Sequence, residues 1–273
     1  MQSKELIMDR PPVVLLLSGM DPTGSAGILA DARVISSLGC HPCGIITCET
    51  VQTSHGLTGI VPADAEIFYE QIHAVLDDLP IKAVKIGAVA SVDIIEIIGR
   101  ELNKNPEIPV VLDPVFAPTS GPAFLDMDGM RAMSINLLEQ VIVATPNVSE
   151  LGVPAGLDVH QNDEEMMLGC ASGWFGAGVE TLLVTGIKVE NEMVDKFIRV
   201  TPEGHTKVTD IRHPWHNVGD VHGSGCILSS AIAGHLARGE KLSNAVKQAS
   251  ELASGLIENA VKFGGGAAFW IGK

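Results

Sequence analysis

Apolar residues recur along this chain in short runs, most of which end on glycine, aspartate or asparagine. "VVLLLSG" (13–19), "IKAVKIGAV" (81–89), "PVVLD" (109–113), "QVIVATPN" (140–147) and "TLLVTG" (181–186) are such runs, and "CGIITC" (43–48) is a shorter one. Runs without polar alternation predict strands buried on both faces, as in a parallel sheet. Between them lie stretches with helical apolar spacing: 28–39, 63–78, 92–102 and 162–178. Residues 191–211 read as a hairpin, and 224–238 and 241–262 as two closing helices before "GGG" and a short tail. Alternating strands and helices predict an α/β fold, a mostly parallel central sheet with helices on both faces.

In such sheets the site lies beyond the carboxyl ends of the strands. Those ends carry Gly19, Asp21, Gly87, Asp113, Pro114, Thr145, Asn147, Glu150, Thr185 and Gly186. Nearly all are small or polar, which marks one shared cleft. No repeat, low-complexity tract or long linker divides the chain. Residues 1–12 read as a tail ending in Pro-Pro and 13–273 as a single domain.

Composition supports this reading. Aromatics are only 4% against 46% hydrophobic residues, so the core is aliphatic, which suits a helix-covered parallel sheet. Acidic residues outnumber basic ones by 33 to 18; the net charge of -15 repels nucleic acid and anionic membranes alike. No stretch is long enough to span a bilayer, and the N-terminus lacks the pattern of a signal peptide. Five scattered cysteines fit a reducing cytoplasm without disulfides.

Candidate chemistry gathers in a few places. "GMDPTGSAGI" (19–28) has the glycine spacing of a phosphate-binding P-loop, but Ser25-Ala26 stand where that motif needs lysine and Ser/Thr. It reads either as a plain strand-to-helix turn or as a backbone wall for a small substrate, with Asp31 one turn into the helix. "HGSGC" (222–226) opens a helix with small residues. Unpaired N–H groups and the helix dipole make an anion hole there. The same field would lower the pKa of Cys226 and suit it as a general base, unless it is an ordinary buried thiol. Asp113 and Glu150 are hard oxygen ligands of the kind that hold Mg²⁺; capping of the following helix explains Glu150 and Asn147 equally well. Cys40 and Cys43 have C-x-x-C spacing but no second pair. The histidines at 205, 213, 216 and 222 read as loop residues, His222 abutting the anion hole. Trp174 and Phe175 read as core.

Together, "SGMDPTGSAGILAD" (18–31), "VQTS" (51–54), "KIG" (85–87), "VLDPV" (111–115), "TPNVSE" (145–150) and "HGSGC" resemble the hydroxymethylpyrimidine/phosphomethylpyrimidine kinases of thiamine biosynthesis. These are enzymes of the ribokinase-like superfamily, with its three-layer sandwich. The resemblance runs from about Val13 to about Ala260. It implies ATP-dependent phosphorylation of 4-amino-5-hydroxymethyl-2-methylpyrimidine and then of its monophosphate, in a cytoplasmic homodimer. It assigns Cys226 as base and Gly223, Ser224 and Gly225 to the anion hole. Gly19, Asp31 and Gln52 fall at the pyrimidine, with Ala88 where the family often has methionine. Asp113 and Glu150 fall at Mg²⁺, and Thr145 and Asn147 near the nucleotide phosphates. Thr185 stands where many members carry a phosphate-binding lysine, and Lys188 three residues on is the candidate for that charge. Pyridoxine or pyridoxal kinase, from the same superfamily, is the alternative that Ala88 makes room for. A non-catalytic pyrimidine sensor would need neither the thiol nor the carboxylates.

Overall fold

The computed structural model describes residues 10–117, 121–201 and 203–270. Most of the expected N-terminal tail, residues 1–9, lies outside them. The strands are β1 (Val13–Met20), β2 (His41–Thr53), β3 (Gly56–Pro62), β4 (Ile81–Ile86), β5 (Val110–Leu112), β6 (Val141–Ala144), β7 (Thr181–Val189), β8 (Glu192–Val200), β9 (Thr206–Pro214), β10 (Val221–His222) and β11 (Ala268–Phe269). The helices are α1 (Gly27–Ser37), α2 (Ala65–Asp78), α3 (Val92–Leu102), α4 (Met127–Asn136), α5 (Val148–Gly152), α6 (Glu164–Gly176), α7 (Ser224–Ala237) and α8 (Leu242–Glu258).

Nine strands form one sheet in the order β3-β2-β1-β4-β5-β6-β7-β8-β9. From β2 to β7 every pairing is parallel; β3 at one edge and β8 and β9 at the other are antiparallel. The unbroken apolar runs are explained by this topology. In β1, Leu15 and Leu17 enter the core beneath α2 and α3, while Val14 and Leu16 enter the core beneath α1, α7 and α8. A two-sided strand has no polar face to alternate with.

Three features depart from the sequence reading. The second strand continues to Thr53 and turns back into β3 as a hairpin, where only 43–48 was expected. Helix α4 was not expected at all. The C-terminal "GGGAAFW" folds back, and β11 pairs in parallel with β10.

One buried charge ties three elements together. Lys85 of β4 and Asp31 of α1 are both fully buried, with Nζ donating to Oδ2 at 2.8 Å and Oδ1 at 3.0 Å. Ser230 Oγ of α7 donates to Asp31 Oδ1 at 2.8 Å. Breaking one half of such a pair leaves an uncompensated buried ion, at a cost of about 3–5 kcal/mol. Asp31→Ala should therefore lower the unfolding free energy by an amount in that range, read in equilibrium unfolding as a lower urea midpoint at unchanged slope. An unchanged midpoint would contradict the assignment of this pair as the tie.

Candidate active site

The carboxyl ends of β1, β4, β5, β6 and β7 open into one cavity of about 670 Å³. Its floor begins where β1 ends. Asp21, only 3% exposed, accepts from Thr23 N (2.9 Å), Thr23 Oγ1 (2.8 Å) and Ala26 N (3.0 Å). Burial works against its charge, but these bonds and His222 outweigh burial and hold its carboxyl below the usual range. Gly27 has φ +58°, and a Cβ there would run into the carbonyl of Gly19. The glycine-rich turn is thus folded back on β1.

Opposite it stands the start of α7. The N-cap is Gly223 at φ +80°, where a Cβ would strike the carbonyl of Ser25. The first internal bond of α7 runs from Ile227 N to Gly223 O (3.0 Å), so the N–H groups of Ser224, Gly225 and Cys226 have no partner within the helix. No acidic side chain occupies this first turn. Fourteen residues of helix place their positive end here. The "HGSGC" stretch therefore has the anion-hole geometry its composition suggests.

Beneath this turn lies Asp113, at the end of β5. It accepts from Ser229 Oγ at 3.1 Å and is 3.9 Å from Lys85 Nζ. Gly225 lies directly against this carboxylate, since a Cβ there would be in van der Waals contact with Asp113 Oδ1 at 3.5 Å. Burial raises the carboxyl of Asp113; Lys85 opposes that, and Asp31 adds to it. Across the cavity, burial and the charge of Asp113 push Glu150 up to about 8. Two carboxylates lining one cavity and repelling each other in this way suit a cation. Glu150 also closes a capping box on α5: Asn147 N donates to its Oε2 (2.8 Å), and its own N–H donates to Asn147 Oδ1 (2.9 Å). The capping and cavity-lining readings of Glu150 thus hold together.

Comparison with known proteins agrees with this geometry. The family model for phosphomethylpyrimidine kinase matches residues 21–269. The chain belongs to the phosphomethylpyrimidine kinase family. Its relatives include a hydroxymethylpyrimidine/phosphomethylpyrimidine kinase of Rhizobium meliloti, 37% identical and covering 87% of each chain. One from Streptomyces coelicolor is 33% identical over 94% of this chain and 92% of the relative. A phosphomethylpyrimidine kinase structure from Clostridium difficile 630 superposes with TM-score 0.74 at 29% identity, covering 91% of this chain and all of the other. The fold is shared with pyridoxal kinase of Staphylococcus aureus in complex with ADP, TM-score 0.84 at 23% identity over 96% and 93% of the two chains.

Within this kinase family frame, the cavity wall carries Gly19, Gln52, Ala88, Asp113, Thr145, Asn147, Glu150, Thr185 and Gly223 to Cys226. Two expected residues are not there. Asp31 is fully buried under the floor, both oxygens on Lys85, and has no face toward a substrate. Asp21 is the carboxylate that lines this end instead. Lys188, three residues beyond Thr185 on β7, is absent from the cavity wall, although the irregular pairing between Val184 and Ile187 keeps it on the same side of the strand. Its ammonium sits 3.3 Å from the ring centroid of Trp215. Among the described residues no lysine or arginine lines the cavity.

The expectation that Cys226 has a lowered pKa is also overturned. Burial pushes the thiol up; Lys85 favours the thiolate, but Asp113 and Asp31 oppose it. Burial above all, with Asp113 and Asp31 adding to it, outweighs the helix dipole and Lys85. The five cysteines are free, Cys40 and Cys43 among them, and no cluster of the described residues has metal-site geometry of three or more ligands. Among the described residues no helix is long and apolar enough to cross a membrane.

Sequence reasoning missed the tail and the far end. Gly266 and Ala267 line the cavity. Trp270, 2% exposed, donates from Nε1 to Ser25 O (3.1 Å), the same carbonyl that faces Gly223. At the far end β8 contributes Met193 and Asp195, β9 His213 and α8 Ser250. His213 Nε2 is 3.3 Å from Asp195 Oδ2. Burial alone would lower the imidazole, but the hydrogen bond and charge of Asp195 raise it above its ordinary value. A histidine raised in the folded state contributes stability below its unfolded pKa and loses it as pH climbs through the folded one. The Tm difference between wild type and Asp195→Asn should therefore be larger at about pH 6 than at about pH 9. An equal difference at both would mean the imidazolium is not paired.

Proposed function

We propose that this chain is an ATP-dependent kinase that phosphorylates 4-amino-5-hydroxymethyl-2-methylpyrimidine and then its monophosphate. The observation that carries the reading is a juxtaposition within one cavity. A thiol, three unpaired helix N–H groups and two carboxylates face a recess lined by Gly19, Gln52 and Ala88. The recess takes the ring, and the hydroxymethyl arm points to Cys226.

In this arrangement the alcohol oxygen lies between Cys226 Sγ and the γ-phosphorus of ATP. The new O–P bond forms as the bond to the β-phosphate bridging oxygen breaks, and the hydroxyl proton passes to Sγ. The N–H groups of Ser224, Gly225 and Cys226 hold the transferring phosphoryl oxygens. Asp113 and Glu150 would hold Mg²⁺, which neutralises phosphate charge when bound and usually keeps several waters while using one or two carboxylates. With no lysine or arginine on the wall, the α7 terminus is the positive field that the protein itself supplies. Because Cys226 rests as a thiol hydrogen-bonded to Asp113, Sγ hands its own proton to the Asp113 carboxylate as it takes the hydroxyl proton, and it does not itself become phosphorylated.

Ala88 supports the second reading, a pyridoxal kinase. Its methyl lies across from Gly19, whose own Cβ position is 3.6 Å away, so the recess is wider than a methionine would leave it. A substrate panel with ATP and Mg²⁺, followed by product mass, decides between them. The expected result is mono- and diphosphorylated pyrimidine; a large kcat/KM preference for pyridoxal overturns the reading. Cys226→Ala should bind ATP as the wild type does and lose about 100-fold or more in kcat. Near-normal turnover would remove its role as base. Gly223→Ala, forced against Ser25 and out of its φ, should lose activity by a similar factor.

A further inference from the structure

Three groups at the ring end of the cavity cannot all be satisfied in the orientation in which Gln52 stands. Gln52 Oε1 is 3.2 Å from Thr50 Oγ1, and its Nε2 faces Nε2 of His222. Thr50 has a single hydroxyl hydrogen, and the carbonyl of Met20 takes it at 2.9 Å. Its oxygen is then left as an acceptor facing an acceptor. At the other end, His222 Nε2 is 3.3 Å from Asp21 Oδ2. The carboxylate has no hydrogen to give, so Nε2 must carry one, and it then points a donor at the Gln52 amino group. Both conflicts disappear with one change, a half-turn of the Gln52 amide, whose oxygen and nitrogen are nearly identical in shape.

We propose that His222, held by Asp21, is the positioning residue that fixes the direction of the Gln52 amide and so selects the ring the kinase accepts. The inference rests on the function proposed above. In the fixed state His222 Nε2–H serves Gln52 Oε1 alongside Asp21, and the amide nitrogen donates to Thr50 Oγ1. One lone pair and one N–H remain for the cavity, acceptor toward His222 and donor toward Thr50. Their complement is a ring edge with a donor beside an acceptor. A 4-aminopyrimidine has that edge in its amino group and neighbouring ring nitrogen. A pyridine carrying a hydroxyl two carbons from its nitrogen does not. His222 is itself oriented by the chain end: its partner across the β10–β11 pairing is Phe269, whose ring lies 6.4 Å from the imidazole.

Two measurements test this. The first is a ¹⁵N–¹H correlation spectrum of the imidazoles in the intact, ligand-free protein, with His222 assigned through His222→Gln. The expected result is a proton on Nε2. A proton on Nδ1 alone overturns the proposal, because Nε2 would then accept from Gln52. The second is kcat/KM for the aminopyrimidine alcohol and for pyridoxal in wild type, His222→Ala and His222→Gln. His222→Ala should raise KM for the pyrimidine by about tenfold, through loss of one positioned hydrogen bond, and shrink its advantage over pyridoxal. His222→Gln, which returns a donor near the same place, should recover most of both. An unchanged preference in His222→Ala, or a loss confined to kcat, overturns the proposal. A wild type that phosphorylates neither ring overturns the proposed function instead, and the Nε2 proton then still decides the amide's direction.

Discussion

The ion pair between Lys85 and Asp31 is the constraint on which the site depends. Two fully buried charges are costly to desolvate, and such pairs add little net stability over apolar replacements. What this pair does is set position. Its ammonium lies under the cavity, 3.9 Å from Asp113 Oδ2, and is the one charge that favours the thiolate of Cys226. Through Ser230 it also holds α7 to α1, so the positive end of α7 arrives over the end of β5. Gly87 belongs to the same device, since a Cβ there would lie 2.7 Å from Lys85 Nζ. The "KIG" stretch is thus a buried charge with the space it needs.

Around that fixed point the charged side chains of lysine, arginine, aspartate and glutamate that line the cavity, among the described residues, are all carboxylates. Asp21, Asp113, Glu150, Asp195 and Asp220 line it, in a chain already carrying a net charge of -15. A polyphosphate entering such a space meets repulsion everywhere except at the unpaired N–H groups of α7 and at whatever cation the carboxylates gather. Selectivity and charge handling are therefore separated. In the proposed reaction one wall, with Gln52 and His222, faces the ring, while the helix terminus and Asp113 face the phosphates.

Much of this was legible in the sequence, and the failures have physical causes. The strands from β1 to β7 were readable because burial on both faces leaves long apolar runs, and their ends gave most of the cavity wall. The β2–β3 hairpin was not, because "ETVQTSHGLTGIVP" is a half-exposed edge with neither a continuous run nor a strong turn dipeptide. Asp31 was placed at the ring because a motif gives position and not direction; its helix face turns inward to Lys85. Lys188 failed because its side chain turns to Trp215 and not to the cavity. Cys226 had its helix dipole in plain view, but the burial that overrules it is a tertiary property, and Asp31 and Asp113, which add to it, are about 195 and 113 residues away in sequence. The chain end carried no pattern, since glycine shows nothing of the Ser25 carbonyl that Trp270 reaches.

The proposed transfer requires the ring's alcohol to be presented to Cys226 beside the helix terminus. A crystal structure with the pyrimidine alcohol and a non-hydrolysable ATP analogue tests it most directly. The account predicts the hydroxymethyl oxygen within hydrogen-bonding reach of Cys226 Sγ and the γ-phosphate on the N–H groups of Ser224 to Cys226. An alcohol turned away from Cys226, with the γ-phosphate elsewhere in the cavity, would contradict it.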